Sequence, residues 1–257
     1  MSFDPVEALA SIGFRGAKTS LRALIQEATK QRLGPAQFCE KLVSLERHER
    51  DSCNLARRTR AATIGPCDPL DSFDWNHPRS IDRPLYETLL QLDFVTHGHN
   101  VLFRGQSGVG KTMLAQNLAL AALQKGFHVR FVSLAAALAD LLRQESLPAL
   151  ERRLRRYINP DLLVLDELGY LPADSRSADL LYNIISRRHL QRATVISTNL
   201  AFKDWGSIFP SAACVGALVD RFIERCHVVD IDADSWRHKR SQQPPPPSSN
   251  PRRPRKT

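Results

Sequence analysis

The sequence predicts an α/β fold, in which a parallel sheet is covered by helices on both faces and follows a small all-α domain. Two observations lead to this prediction. From residue 100 to residue 231, short apolar segments alternate with longer segments whose apolar residues recur at helical spacing. In the first 60 residues the apolar residues follow helical spacing. Strands that alternate with helices are typical of parallel sheets, because their crossover connections place helices on both faces.

The alternating region accounts for a sheet of five parallel strands. We predict these strands at 100–104, 128–132, 162–165, 194–197 and 227–231. We predict helices at 113–123, 134–142, 147–157 and 180–190. The segment at 162–165 contains only leucine and valine, which is typical of a strand buried on both faces.

The first 60 residues predict two or three helices. Leu21, Leu24 and Ala28 lie at helical spacing, and Gly34-Pro35 ends this helix and allows another to begin. Residues 64–84 are rich in Pro, Asp and Asn, which indicates a connector. We therefore divide the chain into three parts, which are a helical domain with its connector at 1–67, the sheet domain at 68–237 and a basic, proline-rich tail at 238–257. The tail cannot bury a core, so we expect it to be disordered.

The net charge of +9 is concentrated at the two ends of the chain. Residues 1–67 carry +4, residues 68–236 carry −2 and residues 237–257 carry +7. Basic ends on a near-neutral middle favour contact with a polyanion, most often a nucleic acid. A solvated surface with a charged tail is the alternative interpretation. Candidates for contacts with DNA phosphates are Arg57, Arg58 and Arg60, at the end of the helical domain.

Composition also argues against several classes of protein. No apolar run approaches the roughly 18 residues that span a bilayer, and residues 1–13 lack the features of a secretory signal. The five cysteines form no CxxC pair and have no histidine at metal-ligand spacing. We therefore expect no membrane association, and free thiols in a reducing cytoplasm.

A glycine-rich segment connects the first predicted strand of the sheet to the first predicted helix. It has the spacing of a phosphate-binding loop, with glycines that turn backbone N–H groups towards an anion and a helix whose positive end faces the same anion. Lys111 is expected to reach the β- and γ-phosphates of a nucleotide, and the Thr112 hydroxyl is expected to bind Mg²⁺. The candidate ATP-binding residues are Gly105, Gln106, Ser107, Gly108, Val109, Gly110, Lys111 and Thr112.

Polar side chains follow two further predicted strands. Asp166 and Glu167 come directly after the apolar run at 162–165. Asp166 suits a ligand of Mg²⁺, and Glu167 suits a general base that activates water. Asn199, which follows the strand at 194–197, can orient that water, and capping of a turn is an equal alternative. These residues therefore predict a site that hydrolyses a nucleotide and does not only bind it.

Two arginines near the end of the sheet domain are candidates for neutralising charge in the transition state. Arg221 lies on a predicted helix and Arg237 follows the last predicted strand. A site with a single lysine leaves much phosphate charge uncompensated, and an added arginine often comes from a neighbouring subunit. Surface charge is the alternative interpretation in a chain so rich in arginine.

Several motifs together resemble the IstB-like ATPases, which act beside the transposases of insertion sequences and are related to the helicase loader DnaC. These motifs are GQSGVGKT, LLVLDELGYLP, ISTNLAF and LVDRFIERCHVVDIDADSWR, preceded by the helical module. The resemblance covers roughly residues 15–240 and implies an AAA+ core. It also implies ATP-dependent assembly of many subunits on duplex DNA and recruitment or activation of a partner transposase. The tail from residue 238 departs from the family pattern.

The resemblance further implies a role for each motif residue. The loop at 105–112 corresponds to Walker A, Asp166 and Glu167 to Walker B, and Asn199 to sensor I. Arg221 corresponds to the arginine finger that acts on a neighbouring subunit, and Arg237 corresponds to sensor II. A DnaC-like helicase loader shares these ATPase parts, so the core leaves that alternative open. A small-molecule kinase is disfavoured because it needs no water-activating glutamate.

Overall fold

The structure, a computed structural model, describes residues 4–169, 175–209 and 213–236. The predicted tail at 238–257 lies outside the described residues. Among the helices of this described part, none combines the length and the apolar character that crossing a membrane requires.

The N-terminal part of the chain consists of α1 (Pro5–Ser11), α2 (Lys18–Gln31) and α3 (Pro35–Ala62). Helix α2 ends where Arg32 adopts a left-handed backbone conformation, and the proline after Gly34 starts α3. Leu21 and Leu24 bury the apolar face of α2. The predicted helices and the break between them are therefore present.

Helix α3 connects the helical part to the rest of the molecule. Its last residue, Ala62, is fully buried in the main core. Thr63 then takes a left-handed conformation, and its hydroxyl donates a 2.7 Å hydrogen bond to the carbonyl oxygen of Phe131. The predicted connector contains a 3₁₀ turn (Leu70–Ser72) and a short strand β1 (Ser80–Ile81). It thus packs as part of the fold.

The sheet has six strands in the order β1-β6-β2-β5-β4-β3. The strands after β1 are β2 (Asn100–Gly105), β3 (Val129–Ser133), β4 (Leu162–Leu168), β5 (Ala193–Thr198) and β6 (Cys226–Asp232). Strands β2 to β6 pair in parallel, which confirms the five predicted strands. The two-residue strand β1 was not predicted, and it pairs antiparallel with the end of β6.

Helices cover both faces of this sheet, as predicted. They are α4 (Arg83–Leu89), α5 (Asp93–Thr96), α6 (Lys111–Gln124), α7 (Leu134–Leu142), α8 (Leu147–Ile158), α9 (Ser175–Arg188), α10 (Trp205–Ile208) and α11 (Val215–Ile223). Side chains that alternate along β2 point to opposite faces. Val101 and Phe103 pack in the core with α6, whereas Leu102 packs in a second core with α7, α9 and α11. The two cores hold the carboxyl ends of β2, β4 and β5 at one edge of the sheet.

Candidate functional site

The predicted phosphate loop lies between β2 and α6, at the carboxyl edge of the sheet. Two of its glycines are required by their surroundings. A Cβ atom on Gly105 would lie 2.4 Å from the carbonyl oxygen of Ile231 in β6. Gly110 has φ of +98°, and a Cβ atom there would lie 2.6 Å from the ring of Phe73. The glycine spacing therefore reflects close packing on both sides of the loop.

Lys111 begins α6, and its side chain turns back over the loop. Its Nζ donates hydrogen bonds of 2.7 Å to the carbonyl oxygen of Gly105 and 2.6 Å to that of Gln106. The ammonium group and the positive end of α6 therefore face the same space above the loop. This is the arrangement expected of a site that binds an anion.

Asp166 is buried at the end of β4 and receives hydrogen bonds from two hydroxyl groups. Thr112 Oγ1 donates to Asp166 Oδ1 at 3.2 Å, and Ser197 Oγ of the adjacent strand β5 donates to the same oxygen. A carboxylate next to a threonine hydroxyl offers the hard oxygen ligands that Mg²⁺ prefers. The residues present therefore fit the predicted magnesium site.

Ser197 also holds the backbone of Glu167, although the sequence did not single it out. Its hydroxyl oxygen accepts a 2.9 Å hydrogen bond from the Glu167 N–H. Glu167 has φ of +63°, and the pairing of β4 with β5 shifts register between Leu165 and Leu168. A left-handed conformation strains the backbone of a glutamate. Such strain at an irregularity of a strand is typical of functional sites, where the irregularity changes the direction of a side chain. As a result Asp166 is buried while the side chain of Glu167 is exposed in the cleft.

Asn199 follows β5 and faces the same cleft as Glu167. Its side-chain oxygen packs against Gly169, where an added Cβ atom would lie 2.8 Å away. The cleft has a volume of about 310 Å³ and includes the loop from Ser107 to Lys111. The structure thus brings the lysine, both carboxylates and the asparagine of the prediction to one place, and their catalytic roles remain predictions.

The predicted arginines lie apart from this cleft or outside the described residues. Arg221 packs against α9, where its Nη1 donates to the hydroxyl of Tyr182 at 2.7 Å and to that of Ser186. Its guanidinium lies 4.9 Å from the centre of the Tyr182 ring. Arg221 is not among the residues that line its own chain's cleft. Arg237 lies outside the described residues.

The three arginines proposed for DNA contact lie in the last turns of α3. Arg57 and Arg60 are exposed, whereas Arg58 is half-buried. Arg58 Nη2 donates a 3.4 Å hydrogen bond to the carbonyl oxygen of Leu123 at the end of α6. Arg58 therefore packs against the core, and Arg57 and Arg60 are the two that solvent reaches.

Three aromatic residues of the cleft escaped the sequence prediction. Phe73 and His77 come from the predicted connector, and Trp236 follows β6. The aromatic residues Phe73, Trp75 and His77 stand close together within an otherwise polar connector, but this cluster by itself does not indicate a place in the cleft. Their partner in the cleft, Trp236, lies more than 150 residues later in the chain.

The fold is similar to that of solved AAA+ proteins. The crystal structure of the DnaC helicase loader superposes with a TM-score of 0.50 at 22% identity, over 62% of this chain and 98% of that one. At this level of identity the similarity concerns the fold. It confirms the predicted AAA+ P-loop fold class.

The sequence comparisons agree with the predicted family. Residues 8–244 match the family model described as IstB-like ATP binding protein. A protein of Bacillus thuringiensis subsp. berliner, named for ATP binding in insertion sequence IS232, is 33% identical over 79% of this chain and 82% of its own. A Pseudomonas aeruginosa protein, named for ATP binding in insertion sequence IS21, is 30% identical over 85% of this chain and 83% of its own. The chain therefore belongs to the family of IstB-like ATP-binding proteins.

Proposed function

We propose that this protein is a Mg²⁺-dependent ATPase that assembles on duplex DNA in the cytoplasm and there recruits or activates a partner transposase. One observation carries the ATPase part. Strand β4 brings two adjacent carboxylates, Asp166 and Glu167, to the phosphate loop with opposite exposure, one buried beside Thr112 and the other exposed in the cleft. A site that only binds nucleotide needs no such exposed carboxylate.

The first task of the site is to hold the nucleotide phosphates. Lys111 exchanges its two carbonyl partners for phosphate oxygens, and the N-terminal end of α6 adds its partial positive charge. Thr112 and Asp166 are the residues that would hold Mg²⁺. When bound, the ion neutralises phosphate charge that develops during transfer.

The second task is to activate water. Glu167 accepts a proton from the attacking water, and Asn199 on the next strand orients the same molecule. Ser197 maintains the geometry because it contacts both Asp166 and the backbone of Glu167. Hydrolysis without an acceptor hydroxyl is the result, which distinguishes the protein from a small-molecule kinase.

Replacing Glu167 by glutamine tests the hydrolytic step. We expect Glu167→Gln to lower the turnover of ATP by about 10²- to 10⁴-fold, because a positioned general base is lost. Binding of ATP should persist, since the glutamine keeps the shape of the side chain. Turnover and ATP affinity are measured side by side, with Lys111→Ala as the variant that loses both. A Glu167→Gln protein with wild-type turnover would contradict the assignment.

We propose that each ATPase site is completed at the contact between two assembled subunits. Arg221 lies on α11 outside its own cleft, which suits a residue that acts on a neighbouring subunit. Arg237 is proposed as the second sensor. ATP that bridges two subunits would make assembly depend on the nucleotide, and hydrolysis would allow release.

The DNA and transposase parts of the proposal rest on family membership and on the basic ends of the chain. Relatives named as ATP-binding proteins of insertion sequences support an involvement in transposition. Phosphate contacts from Arg57 and Arg60 would provide affinity that is independent of DNA sequence.

The electrostatic part is tested by binding to a random duplex at two salt concentrations. We expect affinity to fall steeply between roughly 50 and 200 mM salt, because each neutralised phosphate releases counterions. The double variant Arg57→Ala, Arg60→Ala should bind more weakly and depend less on salt. Lys18→Ala with Lys41→Ala is the matched control, since both lysines are already paired with glutamates. Affinity that is insensitive to salt contradicts this part of the proposal.

The partner is identified by co-purification on DNA. Protein loaded on a duplex with ATP should retain the transposase of the same insertion sequence. Retention of a replicative helicase in its place would support the helicase-loader alternative.

A further inference from the structure

The guanidinium of Arg221 is held by two side chains of α9. Its Nη1 donates to the hydroxyl of Tyr182 at 2.7 Å and to that of Ser186. Tyr182 and Ser186 lie four residues apart, so they neighbour each other on one face of the helix. The guanidinium also lies over the Tyr182 ring, with Cζ of Arg221 at 4.9 Å from the ring centre. One face of α9 therefore fixes the direction of this arginine.

These contacts occupy one nitrogen of the guanidinium and leave the other two. Nη1 carries two N–H groups and makes two hydrogen bonds. Within residues 4–169, 175–209 and 213–236, Nε and Nη2 of Arg221 make no hydrogen bond. Nε and Nη2 form an edge of the guanidinium that can donate two parallel hydrogen bonds to one phosphate. Arg221 is thus held by one nitrogen while this edge remains able to bind an anion.

The groups that hold Arg221 are neutral, which distinguishes it from the arginines of α9. Arg187 pairs with the carboxylate of Glu151. Each side-chain nitrogen of Arg188 donates to at least one oxygen atom. By contrast, Arg221 forms no ion pair with any residue that the structure describes, although Asp220 next to it is exposed. Hydroxyl groups orient a guanidinium without cancelling its charge, so the charge stays available to a phosphate.

Helix α9 supports these contacts because it packs against α11. Leu181 of α9 lies in the same buried cluster as Leu218 and Phe222 of α11. Just beyond the last residues of the two helices, His189 Nε2 lies 2.7 Å from Glu224 Oε2. The helix that carries Arg221 and the helix that holds it are therefore joined both within the core and at the surface.

We propose that Tyr182 and Ser186 are positioning residues, which aim Arg221 at the nucleotide phosphates of a neighbouring subunit. This inference rests on the proposed function, in which Arg221 acts on the ATP of the next chain. An arginine side chain without support samples many rotamers and loses that freedom when it binds. Holding the guanidinium in advance removes part of this cost and places its charge for the transition state.

The first test removes one hydroxyl at a time, with Tyr182→Phe, which keeps the ring under the guanidinium, and with Ser186→Ala. Steady-state ATP hydrolysis by the full chain is measured with Mg²⁺ and duplex DNA. We expect each variant to lower kcat about tenfold with a smaller change in KM, because a misplaced group stabilises the transition state less well. Neither residue is among the described residues that line the cleft, so the phosphate loop of the same chain stays intact.

Three further variants show whether the hydroxyl groups themselves matter. Ser186→Thr keeps a hydroxyl at this position and should hydrolyse ATP nearly as fast as wild type. Tyr157→Phe removes a tyrosine hydroxyl whose hydrogen bond is to α7, and Ser207→Ala removes a serine hydroxyl that bonds within its own turn. Both should leave kcat unchanged, since neither hydroxyl contacts Arg221. Unfolding transitions show whether each variant is folded, and the comparison of Ser186→Ala with Ser186→Thr is sufficient if Tyr182→Phe does not fold.

Combination with Arg221→Ala separates positioning from a merely structural role. If the hydroxyl groups act through Arg221, Tyr182→Phe and Ser186→Ala should lower turnover in the wild-type background and cause no further loss in Arg221→Ala. A defect in the packing of α9 would lower turnover in both backgrounds.

Mixing of chains tests whether the positioned arginine acts on a neighbour. A chain with both Tyr182→Phe and Ser186→Ala keeps an intact Lys111, whereas a Lys111→Ala chain keeps a correctly held Arg221. A mixture of the two should regain turnover, because some interfaces combine the intact parts. A mixture without any gain would contradict a role for Tyr182 and Ser186 between subunits.

The outcomes separate this inference from the proposed function. If wild type does not hydrolyse ATP, the proposed function is wrong, and so is this inference. If Arg221→Ala hydrolyses ATP as fast as wild type, the finger and its positioning are both wrong. If Arg221→Ala is impaired while Tyr182→Phe and Ser186→Ala match wild type, the finger stands and only the positioning is wrong. Losses that add to that of Arg221→Ala lead to the same conclusion.

Discussion

At the scale of single residues, the Ser197 side chain links the two adjacent acidic residues of the site. It donates to the buried carboxylate of Asp166 and accepts from the backbone of Glu167. It therefore connects the residue proposed for the metal with the residue proposed for water. A strained glutamate persists only where its surroundings hold it, and Ser197 supplies one such contact.

We expect Ser197→Ala to lower ATP turnover by about tenfold or more, because displacement of a catalytic group costs rate even when it still binds. Affinity for ATP should stay near that of wild type, since the loop and Lys111 are untouched. Turnover and affinity are measured separately, with Ser207→Ala as control because Ser207 is exposed and its hydroxyl donates to the carbonyl oxygen of Asp204 in its own turn. A parallel loss of turnover and affinity would indicate a merely structural role.

The aromatic residues show why part of the site could not be predicted. Lys111, Thr112 and Asp166 stand in motifs whose spacing follows from phosphate and metal chemistry. Phe73 and Trp236 belong to no such motif, and they line the same cleft where the connector and the end of β6 are joined by the pairing of β1 with β6. Their place in the cleft depends on a contact between distant segments, which a local pattern cannot indicate.

At the scale of elements, Arg188 joins α9 to its neighbours from within the core. It is only 1% exposed, and each of its three side-chain nitrogens donates to at least one oxygen atom. These acceptors are the hydroxyl of Thr194 and the carbonyls of Tyr157, Ile158, Pro160, Asp161 and Ala193. Burial lowers the pKa of Arg188 to about 9, with the charge of Arg192 acting in the same direction. The carbonyls include those at the end of α8, which have no partner within that helix.

Removing the Arg188 guanidinium should destabilise the fold more than removing an exposed charged side chain does. We expect Arg188→Met to lower the free energy of unfolding by about 3 kcal/mol, since several buried carbonyls lose their donor. Arg187→Ala is the matched control, because the neighbouring Arg187 forms an exposed pair with Glu151 and should cost less than about 1 kcal/mol. Chemical denaturation provides both values. Similar losses of unfolding free energy in the two variants would contradict the stabilising role of Arg188.

The elements themselves were the most predictable part of the chain. The helix predicted at 134–142 has the bounds of α7, and each predicted parallel strand overlaps an observed one. Regular apolar spacing determines such elements locally. The antiparallel strand β1 has only two residues and exists through its partner, so no local pattern predicts it.

At the scale of the whole molecule, the proposed assembly requires that one chain contribute to the site of another. The proposed finger, Arg221, contacts α9 of its own chain and lies outside its own cleft. A neighbouring subunit that docks on this face would bring Arg221 to a second phosphate loop. The same geometry would leave an isolated chain with an incomplete site.

Mixing two inactive variants tests this arrangement. We expect Arg221→Ala to lower turnover by about 10³-fold or more, and Lys111→Ala to abolish it. A mixture of the two should regain activity, because some interfaces combine an intact Lys111 with an intact Arg221. Arg225→Ala, an exposed arginine just beyond α11, should behave as wild type. A mixture without any gain would place the action of Arg221 within its own chain or in folding.

The sequence by itself determined the family, the five parallel strands of the sheet and the phosphate loop. This was possible because apolar periodicity and the chemistry of phosphate binding both leave short, local patterns, such as those around Gly105 and Lys111. Only the tertiary structure decided that Asp166 is buried while Glu167 is exposed, because a register shift between β4 and β5 separates them. It alone also brought Phe73 and His77 to the cleft that Trp236 lines, since the pairing of β1 with β6 joins segments that lie far apart in the sequence.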